Sequence, residues 1–375
     1  MAKTGDFLKK FSHKVKERVS TGVLPIDVAL NGGIDLGGCY ALASPSGGGK
    51  STLFLQMAKH FCDQGRYVVY LDIEQGLKPE QISGAGLDKY LKPDANGFAP
   101  FNWITELYSY SDFQNYCRDL INAKKEGIAN YEIIMADSVS TLVSQAILDG
   151  DCEAATVAAD ARPLSKLIKS VRPPLGVAGI TLLNIVQAAS NVGGGMWEPT
   201  WIAKVTKQLE HAVDSLILLE HPTAKSYQIT NQVKTPNGLE DMAIGYYGKL
   251  YTTKSRSGLN RVKLLIPMIM GVGCDNVLYL MNTLTSTGVV AKRGQTYKYN
   301  DANGQEQRID GDDNFKQFVV DNYATLVKMM YDLGYFDLTN KTTVSQVAVL
   351  EPSELAGAGV TQEELRNEEN SEQFI

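Results

Sequence analysis

The chain lacks the features that mark membrane, secreted and metal-scaffold proteins. No apolar run in its 375 residues approaches the length needed to span a bilayer. Residues 1–19 contain no apolar stretch leading into a small-residue cleavage site, so no secretion signal is expected. The five cysteines, Cys39, Cys62, Cys117, Cys152 and Cys274, include no C-x-x-C pair. Such a scattered, odd set fits buried, reduced thiols in the cytoplasm better than disulfides or zinc. No internal repeat is found, and tryptophan is scarce, with two of the three in one short stretch.

What is present suits a globular protein. A hydrophobic fraction of 44% and a charged fraction of 21% allow a sizeable core, in one large domain with appendages or two ordinary ones. The net charge of −6 argues against nucleic acid only until its placement is considered. Lys3, Lys9, Lys10, Lys14, Lys16 and Arg18 crowd the start, against Asp6 and Glu17. Glu351, Glu354, Glu363, Glu364, Glu368, Glu369 and Glu372 crowd the end, against Arg366. A basic head and an acidic tail make the sum a poor guide to partners.

Apolar periodicity predicts a basic amphipathic helix over residues 7–19, then alternating strands and helices. Strands are expected at residues 39–43, 67–71, 133–136, 181–186 and 215–219, and helices at 50–62, 112–125 and 160–171. Apolar strands alternating with helices imply an α/β fold with a mostly parallel sheet covered on both faces. Residues 249–255 and 260–266 read as two strands around a turn, an antiparallel extension of that sheet. Residues 275–293 and 315–333 read as helices, and the stretch after about residue 349 as a mobile acidic tail. The expected division is a helical arm (1–19), a core (20–293), a small C-terminal α/β or helical subdomain (294–349) and a disordered tail (350–375).

The chemistry concentrates at strand ends. Ser44-Pro-Ser46-Gly47-Gly48-Gly49-Lys50-Ser51-Thr52 lies between an apolar strand and a helix and fits the phosphate-binding loop, except that Ser44 replaces its first glycine. Three successive glycines let backbone N–H groups turn toward phosphate oxygens, and the helix N-terminus adds its dipole. Lys50 supplies a mobile charge for the β/γ-phosphates, and Ser51 a hydroxyl for Mg²⁺. Asp137 ends one strand where a carboxylate behind Mg²⁺ belongs, and Glu74 follows another where it could polarise an attacking water. A Gly-rich surface turn and ordinary helix caps are the bland alternatives, and the three features together outweigh them.

The order of Ser20-Thr21-Gly22-Val-Leu-Pro-Ile-Asp27-Val-Ala29-Leu30, the loop at 44–52, Leu71-Asp-Ile-Glu74 and Ala136-Asp-Ser138 resembles that of RecA recombinases. Asp160-Ala-Arg162-Pro-Leu-Ser-Lys-Leu-Ile-Lys169-Ser-Val-Arg172 and Tyr251-Thr-Thr-Lys254-Ser-Arg256 look more like the phage-type UvsX branch. The resemblance covers about residues 19 to 293 and implies a RecA-type P-loop NTPase core using ATP and Mg²⁺. It implies that Glu74 is the catalytic carboxylate and that Gln187 senses the γ-phosphate. Lys254 and Arg256 would reach ATP on an adjacent subunit; at i and i+2 on a strand they share a face.

The same resemblance implies DNA contact from two loops. The second follows Gln187 and holds Asn191, Gly193, Gly194, Gly195, Met196, Trp197, Trp201, Ile202 and Lys204; its glycines supply mobility and its large side chains could stack on bases. The first, near residues 148–158, is acidic through Asp149, Asp151 and Glu153. Arg162 and Lys169 lie seven apart, on one helix face, at positions that touch phosphates in the family. No tyrosine follows the Glu74 strand to stack on adenine; Lys78-Pro79-Glu80-Gln81 stands there.

The implied activity is a DNA-dependent ATPase that polymerises on single-stranded DNA, pairs it with duplex DNA and exchanges strands. Its implied partners are DNA, further copies of itself, single-strand-binding protein and mediator proteins, in a bacterial cytoplasm if phage-encoded. A hexameric helicase and a non-catalytic recombination mediator on the same fold are the alternatives.

Overall fold

The computed structural model describes residues 16–149, 157–192, 198–204, 207–235, 238–256, 260–301 and 303–337, without the side chains of 146, 157–165, 207–208 and 233–235. Most of the basic arm, most of the acidic first loop, the tip of the second loop and the tail therefore lie outside the described residues. The arm's last residues depart from the helix expected over 7–19. Arg18–Val19 form strand β1, paired antiparallel with β2 (Ile34–Asp35), and helix α1 (Leu24–Ala29) lies between them.

The core then runs β3 (Cys39–Ser44), α2 (Lys50–Asp63), β4 (Tyr67–Asp72), α3 (Pro79–Gly84), β5 (Phe101–Ile104), α4 (Tyr110–Lys125), β6 (Tyr131–Asp137), α5 (Gln145–Leu148), α6 (Val157–Ala178) and β7 (Thr181–Ser190). It continues through β8 (Trp201–Ala203), α7 (Lys207–Ala212), β9 (Ser215–Glu220), β10 (Gln228–Thr235), β11 (Gly238–Ser255), β12 (Lys263–Ile269), β13 (Gly273–Cys274) and α8 (Asn276–Ser286). The main sheet has the order β13-β12-β11-β9-β3-β7-β6-β4-β5. From β9 to β5 the neighbours are parallel; β11, β12 and β13 extend the other edge antiparallel.

Period-two alternation sorts the strand residues onto two faces. Tyr40, Leu42, Tyr70 and Met135 join Phe54, Met57 and Phe61 of α2 in one buried cluster. Ala41, Ala43, Leu71 and Ile134 join Phe113 of α4 and Ile168 and Val171 of α6 in the other. Both faces being covered explains why these strands read as unbroken apolar runs.

Several elements run longer than the sequence suggests, for local reasons. Helix α4 starts two residues earlier than the expected 112 because Ser109 caps it: Ser109 Oγ accepts from Asp112 N at 3.1 Å, and Ser109 N donates to Asp112 Oδ2 at 2.9 Å. Helix α6 continues through Pro173 and Pro174 to Ala178. The carbonyls those prolines leave without intrahelical partners belong to Lys169 and Ser170, whose side chains are solvent-exposed. Strand β11 is far longer than 249–255, because its first half pairs with β10 in a ribbon that the sequence reading missed.

After α8 come a three-stranded antiparallel sheet, β14 (Ala291–Arg293), β15 (Thr296–Asn300) and β16 (Glu306–Asp310), and helices α9 (Asp312–Asp321) and α10 (Tyr323–Asp332). The single helix expected over 315–333 is thus two, broken at Asn322. Phe315, Val319, Leu326 and Met330 bury into the same cluster as α2. No helix among the described residues is long and apolar enough to cross a membrane.

Candidate active site

Parallel pairing brings the carboxyl ends of β3, β7, β6 and β4 to one rim. Ser44 is registered with Gln187, and Asp72 with Asp137. A rim of this kind, at the carboxyl ends of parallel strands, is where α/β sheets collect ligands.

The Gly-rich loop leaves β3 here and feeds α2. Gly47 and Gly49 adopt left-handed φ values of +74° and +75°, a conformation that side chains resist. Ser44 is not among the residues with positive φ, so the position needs no glycine. Its buried hydroxyl instead occupies the space over Gly48, donating to Gly48 O at 3.3 Å; a Cβ on Gly48 would lie 1.9 Å from Ser44 Oγ. The missing first glycine is thus matched to the presence of another, at Gly48.

Lys50 opens α2, and its Nζ donates to Ser44 O at 3.0 Å and Pro45 O at 2.8 Å, holding the ammonium over the loop. Burial lowers its pKa, against the opposing fields of Asp137 and Glu74. Ser51 Oγ donates to Asp137 Oδ2 at 2.7 Å, and Tyr70 OH donates to the same oxygen at 2.9 Å. Burial raises the Asp137 pKa; the hydrogen bonds from Ser51 and Tyr70 oppose this, while Glu74 and Asp72 add to it. A hydroxyl and a carboxylate oxygen in contact, within an acidic surround, are hard donors that suit Mg²⁺. Ser46 and Gly47 are exposed at the loop tip, and Thr52 is half-buried beside Ser51.

Glu74 is exposed just beyond β4, and Ser138 Oγ donates to its Oε1 at 2.7 Å. Ser140 Oγ lies 2.6 Å from Ser138 Oγ. Gln75, next to Glu74, has a left-handed φ of +52°, which fixes the turn presenting the carboxylate. Ser138 and Tyr70 were not singled out in the sequence. Ser138 carried a signal, since it directly follows Asp137; Tyr70, in the middle of an apolar strand, carried none.

The other expected residues divide. Gln187 ends its strand segment with an exposed side chain, while its carbonyl accepts from Lys204 N at 2.7 Å. Beyond it, β7 and β8 form a hairpin with Ala188 opposite Ala203. Asn191 closes this hairpin, with N donating to Thr200 O at 2.8 Å and Nδ2 to Pro199 O at 2.9 Å. Trp201, expected to stand clear of any core, is half-buried against the α4–α6 cluster, and its N donates to Glu220 Oε1 at 3.0 Å. It secures the hairpin base. Ile202 and Lys204 are exposed; Gly193, Gly194, Gly195, Met196 and Trp197 lie outside the described residues. Lys169 is exposed on α6, and the side chain of Arg162 lies outside the described set.

Lys254 and Arg256 do not join the rim. Lys254 is level with Leu216, which is level with Ala41, and Arg256 N donates to Asp214 O at 2.8 Å. Asp214 N in turn donates to Cys39 O at 2.6 Å. Arg256 therefore stands level with the start of β3, about 17 Å of strand from Ser44 where the loop departs, and Lys254 stands two residues nearer, at about 10 Å. The two do share a face, because both reach the His211 carbonyl, Lys254 Nζ at 3.1 Å and Arg256 Nη2 at 2.9 Å.

Comparison with known proteins agrees with this geometry. The chain is 24% identical over 294 residues to the protein RecA of Synechococcus elongatus, covering 76% of this chain and 73% of the relative. RecA of a Nostoc species is 24% identical over 292 residues, covering 78% and 74%. RecA of Synechococcus sp. strain CC9902 is 24% identical over 344 residues, covering 90% and 81%. The chain is similar to RecA proteins over three quarters or more of its length. No protein-family model matches it. The match over 90% of the chain takes in the loop, both acidic strand ends and the antiparallel edge, and the mostly parallel, helix-flanked sheet is that of a RecA-like core.

Proposed function

We propose that this protein is an ATP-dependent DNA recombinase, a DNA-stimulated ATPase that polymerises on single-stranded DNA and catalyses homologous pairing and strand exchange. The observation that carries the reading is the separation of the cation pair from the phosphate loop. Arg256 sits at the opposite end of β3 from the loop that carries Lys50, and Lys254 points with it to the His211 carbonyl, so a triphosphate they meet belongs to another copy of the chain. A nucleotide site completed only by a neighbour makes hydrolysis depend on assembly.

In this reading Ser46 to Thr52 wrap the phosphates of ATP, Lys50 holds the β/γ-phosphates, and Ser51 backed by Asp137 holds Mg²⁺. The ion would offset phosphate charge in the transition state. Glu74, steadied by Ser138, orients the water that attacks the γ-phosphorus, and Gln187 at the hairpin base responds to the γ-phosphate. The segment after Gln187, through Trp197 to Lys204, contacts DNA together with Arg162 and Lys169 on α6. The segments at 160–172 and 251–256 favour the phage-type UvsX branch and, with it, a cytoplasmic setting in a bacterial host.

The test is an ATPase assay with and without single-stranded DNA, paired with negative-stain imaging in an ATP analogue. Strong DNA stimulation and open helical filaments are expected. Closed rings would favour the helicase alternative. Absence of DNA stimulation, with a Trp197→Ala variant binding DNA as tightly as the parent, would sink the proposal.

A further inference from the structure

One carboxylate ties together three segments that the recombinase reading leaves separate. Asp214 lies just past α7, in front of β9. Its Oδ1 accepts from Arg172 Nη2 of α6 at 2.6 Å and from Arg256 Nη1 at 2.8 Å, and its Oδ2 accepts from Cys39 N at 2.9 Å. Lys254 Nζ and Arg256 Nη2 cap the last carbonyls of α7: Lys254 donates to Glu210 O as well as His211 O, and Arg256 to His211 O.

Helix α7 is a short strut. At one end it follows Lys204, which is tied to the Gln187 carbonyl at the base of the hairpin. At the other it ends in the carbonyls that the two cations hold. Its buried attachments are Leu209 and, just beyond its end, Val213.

We propose that Asp214, with Arg172 behind it, is a positioning residue that keeps Lys254 and Arg256 on their own protomer until DNA moves the hairpin and α7. This rests on the reading of Lys254 and Arg256 as the groups that meet a neighbour's ATP. The donors that now hold α7 and Asp214 are the ones a triphosphate would need, so the two engagements exclude each other. Of the two arginines on Asp214 Oδ1, Arg256 is the one free to leave: its side chain is 50% exposed, against 30% for Arg172. Arg172 also has a buried Nε without a hydrogen-bond partner among the described residues, and it draws on the same carboxylate. Competition from Arg172 therefore weakens the hold on Arg256, and an exposed ion pair of this kind is readily reversible.

The two members of the latch have opposite expected effects. In the full-length protein, Asp214→Asn leaves two guanidiniums facing each other without a counter-charge, and Arg256 is expelled. The DNA-free ATPase rate is expected to rise roughly two- to fivefold, the span of a released surface ion pair. The DNA-saturated rate stays within about twofold of the parent, so stimulation shrinks. Asp214→Glu, which keeps the charge, restores the stimulation. Arg172→Met leaves Asp214 to Arg256 alone, tightens the latch and lowers the DNA-free rate. A purely structural role predicts that Asp214→Asn and Arg172→Met both lower the two rates together with the melting temperature, and that result overturns the proposal. If Asp214→Asn does not fold, an Arg172→Met rate without DNA at or above the parent's overturns it. Arg256→Ala separates the two readings: if its DNA-saturated rate matches the parent's, the trans-acting role itself fails, whatever Asp214 does.

Discussion

Ser51 Oγ donates to Asp137 Oδ2 at 2.7 Å, a contact between residues 86 apart in the chain that joins the phosphate loop to the end of β6. Burial raises the Asp137 pKa, and a divalent cation next to the pair would favour its charged form. Asp137→Asn keeps a group that can accept from Tyr70 and Ser51, so the fold is expected to persist. Mg²⁺-dependent ATP affinity should fall at least about tenfold in isothermal titration, while Mg²⁺-free nucleotide binding changes little.

Ser138 anchors Glu74 by a hydrogen bond to a carboxylate, a class worth about 1.5–3 kcal/mol. Glu74→Gln is expected to abolish turnover while leaving ATP affinity intact. Ser138→Ala should lower kcat about tenfold with KM unchanged, since only the aim of the carboxylate is lost. A Ser138→Ala enzyme with a raised KM and normal kcat would place Ser138 in ground-state binding instead.

The match between Ser44 and Gly48 can be read as a double-mutant cycle. Gly48→Ala drives a methyl group to 1.9 Å from Ser44 Oγ and should weaken nucleotide binding and lower the melting temperature. Ser44→Gly alone should be mild. The double variant should recover part of the loss, because Pro45 O remains 3.2 Å from the added Cβ. Additive effects in the cycle would show the two positions to be independent.

Residues at opposite ends of the sheet predict complementation between copies. Lys50→Ala and Arg256→Ala are each expected to be inactive alone. Mixed in equal amounts, they should regain about a quarter of parental DNA-stimulated ATPase, the share of random contacts that pair an intact loop with an intact arginine. No recovery in co-assembled protein would place Arg256 outside the reaction.

Asp27 provides a pH signature of folding. Complete burial pushes its pKa up to about 6, against hydrogen bonds from Ser20 Oγ at 2.6 Å, Thr21 N at 2.8 Å and Thr21 Oγ1 at 2.7 Å. The unfolded carboxyl titrates near ~4, so between about pH 4 and 6 the folded state binds more protons and stability falls as pH rises. The melting temperature of the parent minus that of Asp27→Asn should decline through that window and level off above it. A flat difference would mean that burial leaves Asp27 titrating as it does in the unfolded chain.

Much of the rim was legible in the sequence, because its signals are local. Apolar runs predicted β3, β4, β6, β7 and β9; Glu74 and Asp137 sit within two residues of a strand end, and Lys50 and Ser51 open the helix after the Gly-rich loop. The β10–β11 ribbon and the β14–β16 sheet were missed because their exposed residues carry little apolar alternation. Trp201 was misjudged because the strands its segment packs on, β3 and β9, join the sheet only through long-range pairing.

The sequence by itself determined that a Gly-rich loop joins an apolar strand to a helix and that acids follow neighbouring strands; backbone chemistry and short-range pattern suffice for that. Only the tertiary structure decided how far Lys254 and Arg256 stand from that loop, and that Asp214 and Arg172 meet them. Those facts depend on which strands pair and in which direction. Antiparallel pairing of β11 with β9 carries the cations away from the phosphates, and no local pattern encodes that register.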